Sequence, residues 1–106
     1  MIKSVNAVKW GHRLFQLVDH FRVEISEDPG PSGWMRARHL AYPPISGNGY
    51  SDEAAWDAWR EDFAQNYDRA LEGKLNHGLA TAILGMVKAE VLEYEAIKST
   101  KLEKNS

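Results

Sequence analysis

The sequence predicts an α+β fold in which a short antiparallel β-sheet of two or three strands is packed on one face by two α-helices that also pack on each other. Three observations carry this reading. Residues 15–26 alternate with a period of two, a glycine- and proline-rich turn follows them at once, and the second half holds two long stretches with helical spacing.

The first strand is read over residues 15–26. Phe15, Leu17, Phe21, Val23 and Ile25 occupy one parity, interrupted by Asp19, and Gln16, His20, Arg22 and Glu24 the other, interrupted by Val18. Such alternation fits a half-buried strand. Residues 4–12 stay open between helix and strand, because Trp10, Leu14, Leu17 and Phe21 also fall on one helical face. The run Glu27-Asp28-Pro29-Gly30-Pro31-Ser32-Gly33 then turns the chain, since proline lacks a ladder donor and glycine accepts positive φ. A second strand is expected from Trp34 to about Ala41, ended by Tyr42-Pro43-Pro44, and the loop 42–50 has room for a third, short edge strand.

Ser51 begins the middle helix as an N-cap, with Asp52 and Glu53 beside the positive end of the helix dipole, and Gly73 stops it. Between them Trp56, Trp59, Phe63, Tyr67 and Ala70 form a bulky stripe that should lie on the sheet. A second helix is expected from Asn76 to about Ile97, with Leu79, Ile83, Val87, Val91 and Tyr94 as its apolar face. Residues 1–98 thus read as one domain, and 99–106 as a frayed polar tail.

Composition narrows the function classes. An apolar fraction of 43% and a charged fraction of 26% are those of a globular chain. No apolar run is long enough to span a bilayer, and Ser4, Asn6 and Lys9 interrupt the N-terminal apolar stretch that a signal peptide would need, so the chain is expected to be cytoplasmic and off the membrane. Without cysteine there is no disulfide framework, thiolate zinc site or thiol nucleophile. A net charge of −2 argues against a dominant nonspecific attraction to nucleic acid, although residues 1–41 carry a small positive excess and the rest a negative one.

Two features offer contact surfaces. If Phe21, Val23 and Ile25 face the core, His20, Arg22 and Glu24 face out, and Trp34, Arg36 and Arg38 share one face of the second strand. Tryptophan and arginine are typical anchors for a protein partner, and the same pair suits stacking and phosphate contacts with single-stranded nucleic acid. An edge tryptophan with solvated arginines is the plainer alternative. On the last helix Gly78, Ala82, Gly85 and Ala89 recur at spacings of four, three and four, a small-residue stripe suited to a homodimer contact or to the aromatic ridge of the middle helix.

No catalytic or metal signature emerges. His12, His20, His39 and His77 lack ligand spacing, and the sequence contains no nucleophile elbow, phosphate loop or H-E-x-x-H. Asp57, Glu61 and Asp62 form an acidic patch that a solvated helix face explains. No cofactor is expected.

Ser32-Gly33-Trp34, Tyr42-Pro43-Pro44 and Gly49-Tyr50-Ser51-Asp52-Glu53-Ala54, in this order after a strand, resemble the N-terminal domain of HicB-type antitoxins over about half of the chain. The resemblance implies a small cytoplasmic domain whose sheet or edge engages a protein partner. The middle helix is longer than in that family, and the last segment too apolar and long for its DNA-binding unit. The expected function is a non-catalytic module that inhibits or regulates a protein partner, antitoxin-like or anti-defence-like, through Trp34, Arg36, Arg38, Arg22 and His20. A nucleic-acid-binding regulator using the same face is the alternative.

Overall fold

A computed structural model describes residues 1–28, 30, 33–40 and 45–92. Among them the chain runs β1 (Ile2–Trp10), β2 (Arg13–Glu27), β3 (Met35–His39), β4 (Ser46–Gly49), α1 (Asp52–Leu71), α2 (His77–Met86) and β5 (Val87–Leu92). The α+β class holds, with five antiparallel strands in place of two or three. Expectations placed on Pro29, Pro31, Ser32, Tyr42-Pro43-Pro44, Tyr94, Ile97 and the tail 99–106 lie outside the described residues.

The long strand β2 organises the sheet. One of its edges carries β1, and the other carries β3 opposite Val23–Glu27 and β5 opposite Arg13–Leu17, with β4 added beyond β3. The open stretch 4–12 is strand as far as Trp10 and turn at Gly11 and His12. Gly11 at φ +60, with no positive φ at His12, fits the two-residue type II′ turn that joins Trp10 to Arg13. The β1–β2 register shifts between Val5 and Ala7, so Val5 and Val8, three apart, both reach the core. A bulge of this kind gives a strand apolar spacing that imitates a helix.

Helix α1 follows its local signals closely. The Ser51 Oγ accepts from the Ala54 N–H at 3.1 Å, and the helix closes with Gly73 at φ +71. There the Gly73 N–H donates to Ala70 O and the Lys74 N–H to Arg69 O, the paired bonds of a Schellman motif. Trp59 and Phe63 are fully buried and Trp56 and Tyr67 half-buried, so the aromatic stripe lies on the sheet. Phe15 meets Phe63 and Tyr67 edge-on, with centroids 5.4 and 5.1 Å apart.

Seating α1 requires two bare positions on β4. Ile45, Gly47 and Gly49 alternate toward the helix and are all buried. A Cβ on Gly47 would come within 2.2 Å of Trp59 N, and one on Gly49 within 2.5 Å of the Ala54 Cβ. Glycine is what lets the two backbones approach.

The last helix is the principal correction. It starts at Asn76, whose Oδ1 accepts from the Gly78 N–H at 2.9 Å, but it stops at Met86 instead of running to Ile97. Val87–Leu92 becomes β5, with Val87 opposite Leu17 and Val91 opposite Leu14. The small-residue stripe is divided accordingly, with Gly78, Ala82 and Gly85 on α2 and Ala89 on β5, so it is not one helix face. Nor do its glycines admit another backbone within this chain: a Cβ on Gly85 would meet nothing within 4 Å, and one on Gly78 only the Asn76 Oδ1 at 3.4 Å.

The same substitution should therefore act oppositely at two glycines. Gly47→Ala is expected to destabilise the fold by about 3 kcal/mol or more, since rigid backbone would have to move. Gly85→Ala should be neutral or stabilising by up to about 1 kcal/mol, because alanine is the better helix former. Urea denaturation of both variants beside the parent checks the pair.

Candidate hairpin-face interface

Both helices cover one face of the sheet, and among the described residues no helix or strand covers the outward side of the β2–β3–β4 unit. In register, Glu24, Arg38 and Ser46 form one cross-strand row, and Ser26, Arg36 and Asn48 the next. Continuing that register places Trp34 beside Tyr50 at the end of the unit, and their rings stack at a tilt with centroids 4.5 Å apart. Trp34 is half-buried, whereas Tyr50 is 74% exposed.

The turn beneath Trp34 is fixed by Asp28. Its backbone N–H donates to Trp34 O at 3.0 Å, and its carboxylate accepts from the Gly30 N–H at 2.8 Å and from the Asn48 side-chain amide. Asp28, at the end of β2, thus joins that end by an Asx turn to the ends of β3 and β4 that carry Trp34 and Asn48.

The face is basic. Arg38 shares Glu24 through a 3.2 Å contact, and Arg22 and Arg36 have no carboxylate partner among the described residues. The Nε atoms of Arg36 and Arg38 are buried without a hydrogen-bond partner. Arg22 lies opposite Ser4 of β1 and is exposed. Trp34, Arg36, Arg38 and Arg22 therefore come together on one surface, as their alternation predicts.

His20 stands apart from them. Four residues of β2, Leu17–His20, face only Asn6 across the irregular part of the β1 ladder, and within this bulge the His20 N–H donates to the Asp19 carboxylate at 2.7 Å. His20 is exposed, one alternation beyond Arg22, which itself lies opposite Leu40 and outside the two cross-strand rows. Sequence reasoning missed Tyr50, Asn48 and Ser46. Their signal was the alternation Ile45-Gly47-Gly49, whose small inward side chains look unlike a strand until a helix is laid across them.

Other singled-out polar residues have structural partners. Asp62 accepts from the Ser46 N–H at 3.0 Å and so anchors the edge strand to α1. Asp57 pairs with Arg60, and Glu61 accepts from Gln65 at 3.3 Å. Arg13 binds Asp68 of α1 through both terminal nitrogens, at 2.8 and 2.7 Å, and Glu90 of β5 through Nε. These contacts raise the affinity of the Arg13 guanidinium for its proton and hold the Asp68 carboxyl below its ordinary range. Among the described residues, no group of three His, Cys, Asp or Glu side chains is placed to hold a metal ion, and no helix is long and apolar enough to cross a membrane.

His39 points away from the hairpin face into the core, 4% exposed, with its ring 4.9 Å from that of Phe21. Burial lowers its pKa from the ordinary 6.5. The unfolded chain therefore binds the proton first, so this contribution to stability is complete above the unfolded value and is lost as pH falls below it toward the folded one. Melting temperatures measured from pH 7.5 to pH 5 should decline, and His39→Phe should flatten that decline. An unchanged slope would dispose of the assignment. Compared with known proteins, this chain matches no family model, no curated protein and no solved structure.

Proposed function

We propose that the chain is a non-catalytic binding module that regulates or inhibits a protein partner, and that the outer face of the β2–β3–β4 unit is its contact surface. The observation that carries this reading is the tilted Trp34–Tyr50 pair standing beside Arg36, with Arg22 farther along the same face, neither arginine having a carboxylate partner among the described residues. Aromatic and arginine side chains dominate the energetics of protein interfaces because they combine large contact area with directional donors. Uncompensated guanidinium groups favour a partner surface rich in carboxylates.

The two aromatic rings also favour a second reading, a regulator that binds single-stranded nucleic acid. Exposed rings can stack on bases of any sequence while arginines meet the phosphates. The net charge of −2 weighs against it, since the basic face belongs to a chain with no overall attraction for a polyanion.

The two readings separate by capture from native extract on the parent and on a Trp34→Ala/Arg36→Ala variant. A protein retained by the parent through nuclease treatment and a wash in about 0.5 M salt, and lost from the variant, is the expected outcome. Direct titration of that protein should then weaken by about thirtyfold or more in the variant, the loss expected of a hot spot. Material that disappears with nuclease or salt would favour nucleic acid. Equal capture by both baits, with the variant still folded, would remove the hairpin face from consideration.

A further inference from the structure

The edge of the sheet opposite β4 offers a separate surface. Strand β1 is the outermost member of the β1-β2-β3-β4 order, so one side of it carries no strand among the described residues. Met1 and Ile25 exchange both backbone bonds, Ile25 N–H to Met1 O at 2.8 Å and the Met1 amino group to Ile25 O at 3.0 Å. Antiparallel ladders alternate between bonded and non-bonded pairs. It follows that Lys3 opposite Val23 and Val5 opposite Phe21 bond to β2, whereas Ile2 opposite Glu24 and Ser4 opposite Arg22 direct their backbone N–H and C=O toward the open edge.

A shallow depression of about 290 Å³ runs along this edge, lined by Lys3, Ser4, Val5, Asn6, Ala7 and Trp56. Lys3 lies over the Trp56 ring, its Nζ 5.3 Å from the centroid, and has no carboxylate partner among the described residues. We propose that this edge accepts an extended acidic peptide of a partner protein as an added antiparallel strand, with the pattern apolar residue, any residue, carboxylate.

The register follows from the ladder. The middle peptide residue pairs with Ser4 and makes both backbone bonds. Its neighbours then stand opposite Val5 and Lys3 in non-bonded positions, where side chains approach most closely, and both point into the depression. Because the strands run in opposite directions, the residue facing Val5 comes first and the one facing Lys3 last. A second copy of the chain is a poor occupant. Antiparallel self-pairing through the outward groups of Ile2 and Ser4 sets Lys3 against Met1, Lys3 or Val5 of the other copy, and the segment Ile2–Trp10 contains no acid. Lysine on an open edge opposes such self-association and selects a partner that supplies the opposite charge.

The test uses two capped heptapeptides, each with valine–threonine–glutamate or valine–threonine–lysine at its centre and threonine and serine elsewhere, titrated to millimolar concentration against the full chain by amide NMR. The glutamate peptide is expected to shift the Ile2 and Ser4 amides and to slow their hydrogen exchange. It should bind about threefold to fivefold more tightly than the lysine peptide, the scale of one cross-strand charge pair. Lys3→Glu should reverse that preference, and Ser4→Pro, which removes an outward N–H that β2 does not use, should weaken both peptides. Trp34→Ala should leave the titration unchanged, so failure here is distinguishable from failure of the hairpin-face reading. Equal affinities in the parent, no reversal in Lys3→Glu, or amide shifts confined to the Trp34 surface would each overturn the proposal.

Discussion

The structure depends on how closely α1 can approach β4. The Trp59 indole is fully buried and donates Nε1–H to Ile45 O at 3.1 Å, so the largest core side chain is also tied to backbone at the start of the edge strand. That position exists only because Gly47 and Gly49 present no Cβ toward the helix. A buried indole N–H without an acceptor would cost about 1–3 kcal/mol, so the carbonyl of Ile45 settles the polar end of Trp59 while the ring fills the core. Stacked contacts carry this line of aromatics along α1, with centroids 5.3 Å apart for Trp56 and Trp59 and 5.6 Å for Trp59 and Phe63.

At the other end of the helix, Arg13 performs the comparable service for charge. It sits on β2 above the Phe15 ring, at 4.8 Å, and reaches Asp68 on α1 and Glu90 on β5 at once. The bidentate geometry with Asp68 fixes orientation as well as attraction. One guanidinium thereby joins the central strand, the helix above it and the final strand beside it. The two constraints hold α1 down at both ends, and among the described residues no element covers the opposite side of the sheet.

This division of faces places the candidate surfaces. Inward positions are filled by Val8, Phe15, Val23, Ile25 and Ala37 beneath the helices. Outward positions of β2, β3 and β4 carry arginines and the Trp34–Tyr50 pair, and β1 closes the far edge with an open ladder. His39 and Arg38 illustrate the separation, since adjacent residues of one strand end in the core and on the outer face respectively.

Local chemistry was legible without any fold: Ser51 and Gly73 delimit α1, Asp28, Gly30 and Gly33 mark the turn between β2 and β3, and alternation along β2 and β3 puts Trp34, Arg36, Arg38 and Arg22 on one face. These signals are readable because each depends on residues within a few positions of one another. His20 departed from the set because it falls in the bulge, where Leu17–His20 face only Asn6, and nothing in the residues around Asp19 announces that four residues will face one. Tyr50 was not legible as part of the site, because Ser46–Gly49 becomes a strand only with α1 laid over its glycines. Beyond Met86, the helix-compatible segment Val87–Leu92 becomes a strand because β2 has an open edge from Arg13 to Leu17 and Arg13 offers Glu90 a partner. Ser51 and Asn76 mark where the helices begin, and strand alternation marks which side of the hairpin is basic, because both are local signals. The number of strands emerges only on folding, since strand pairing is a contact between distant residues and local propensity yields to it.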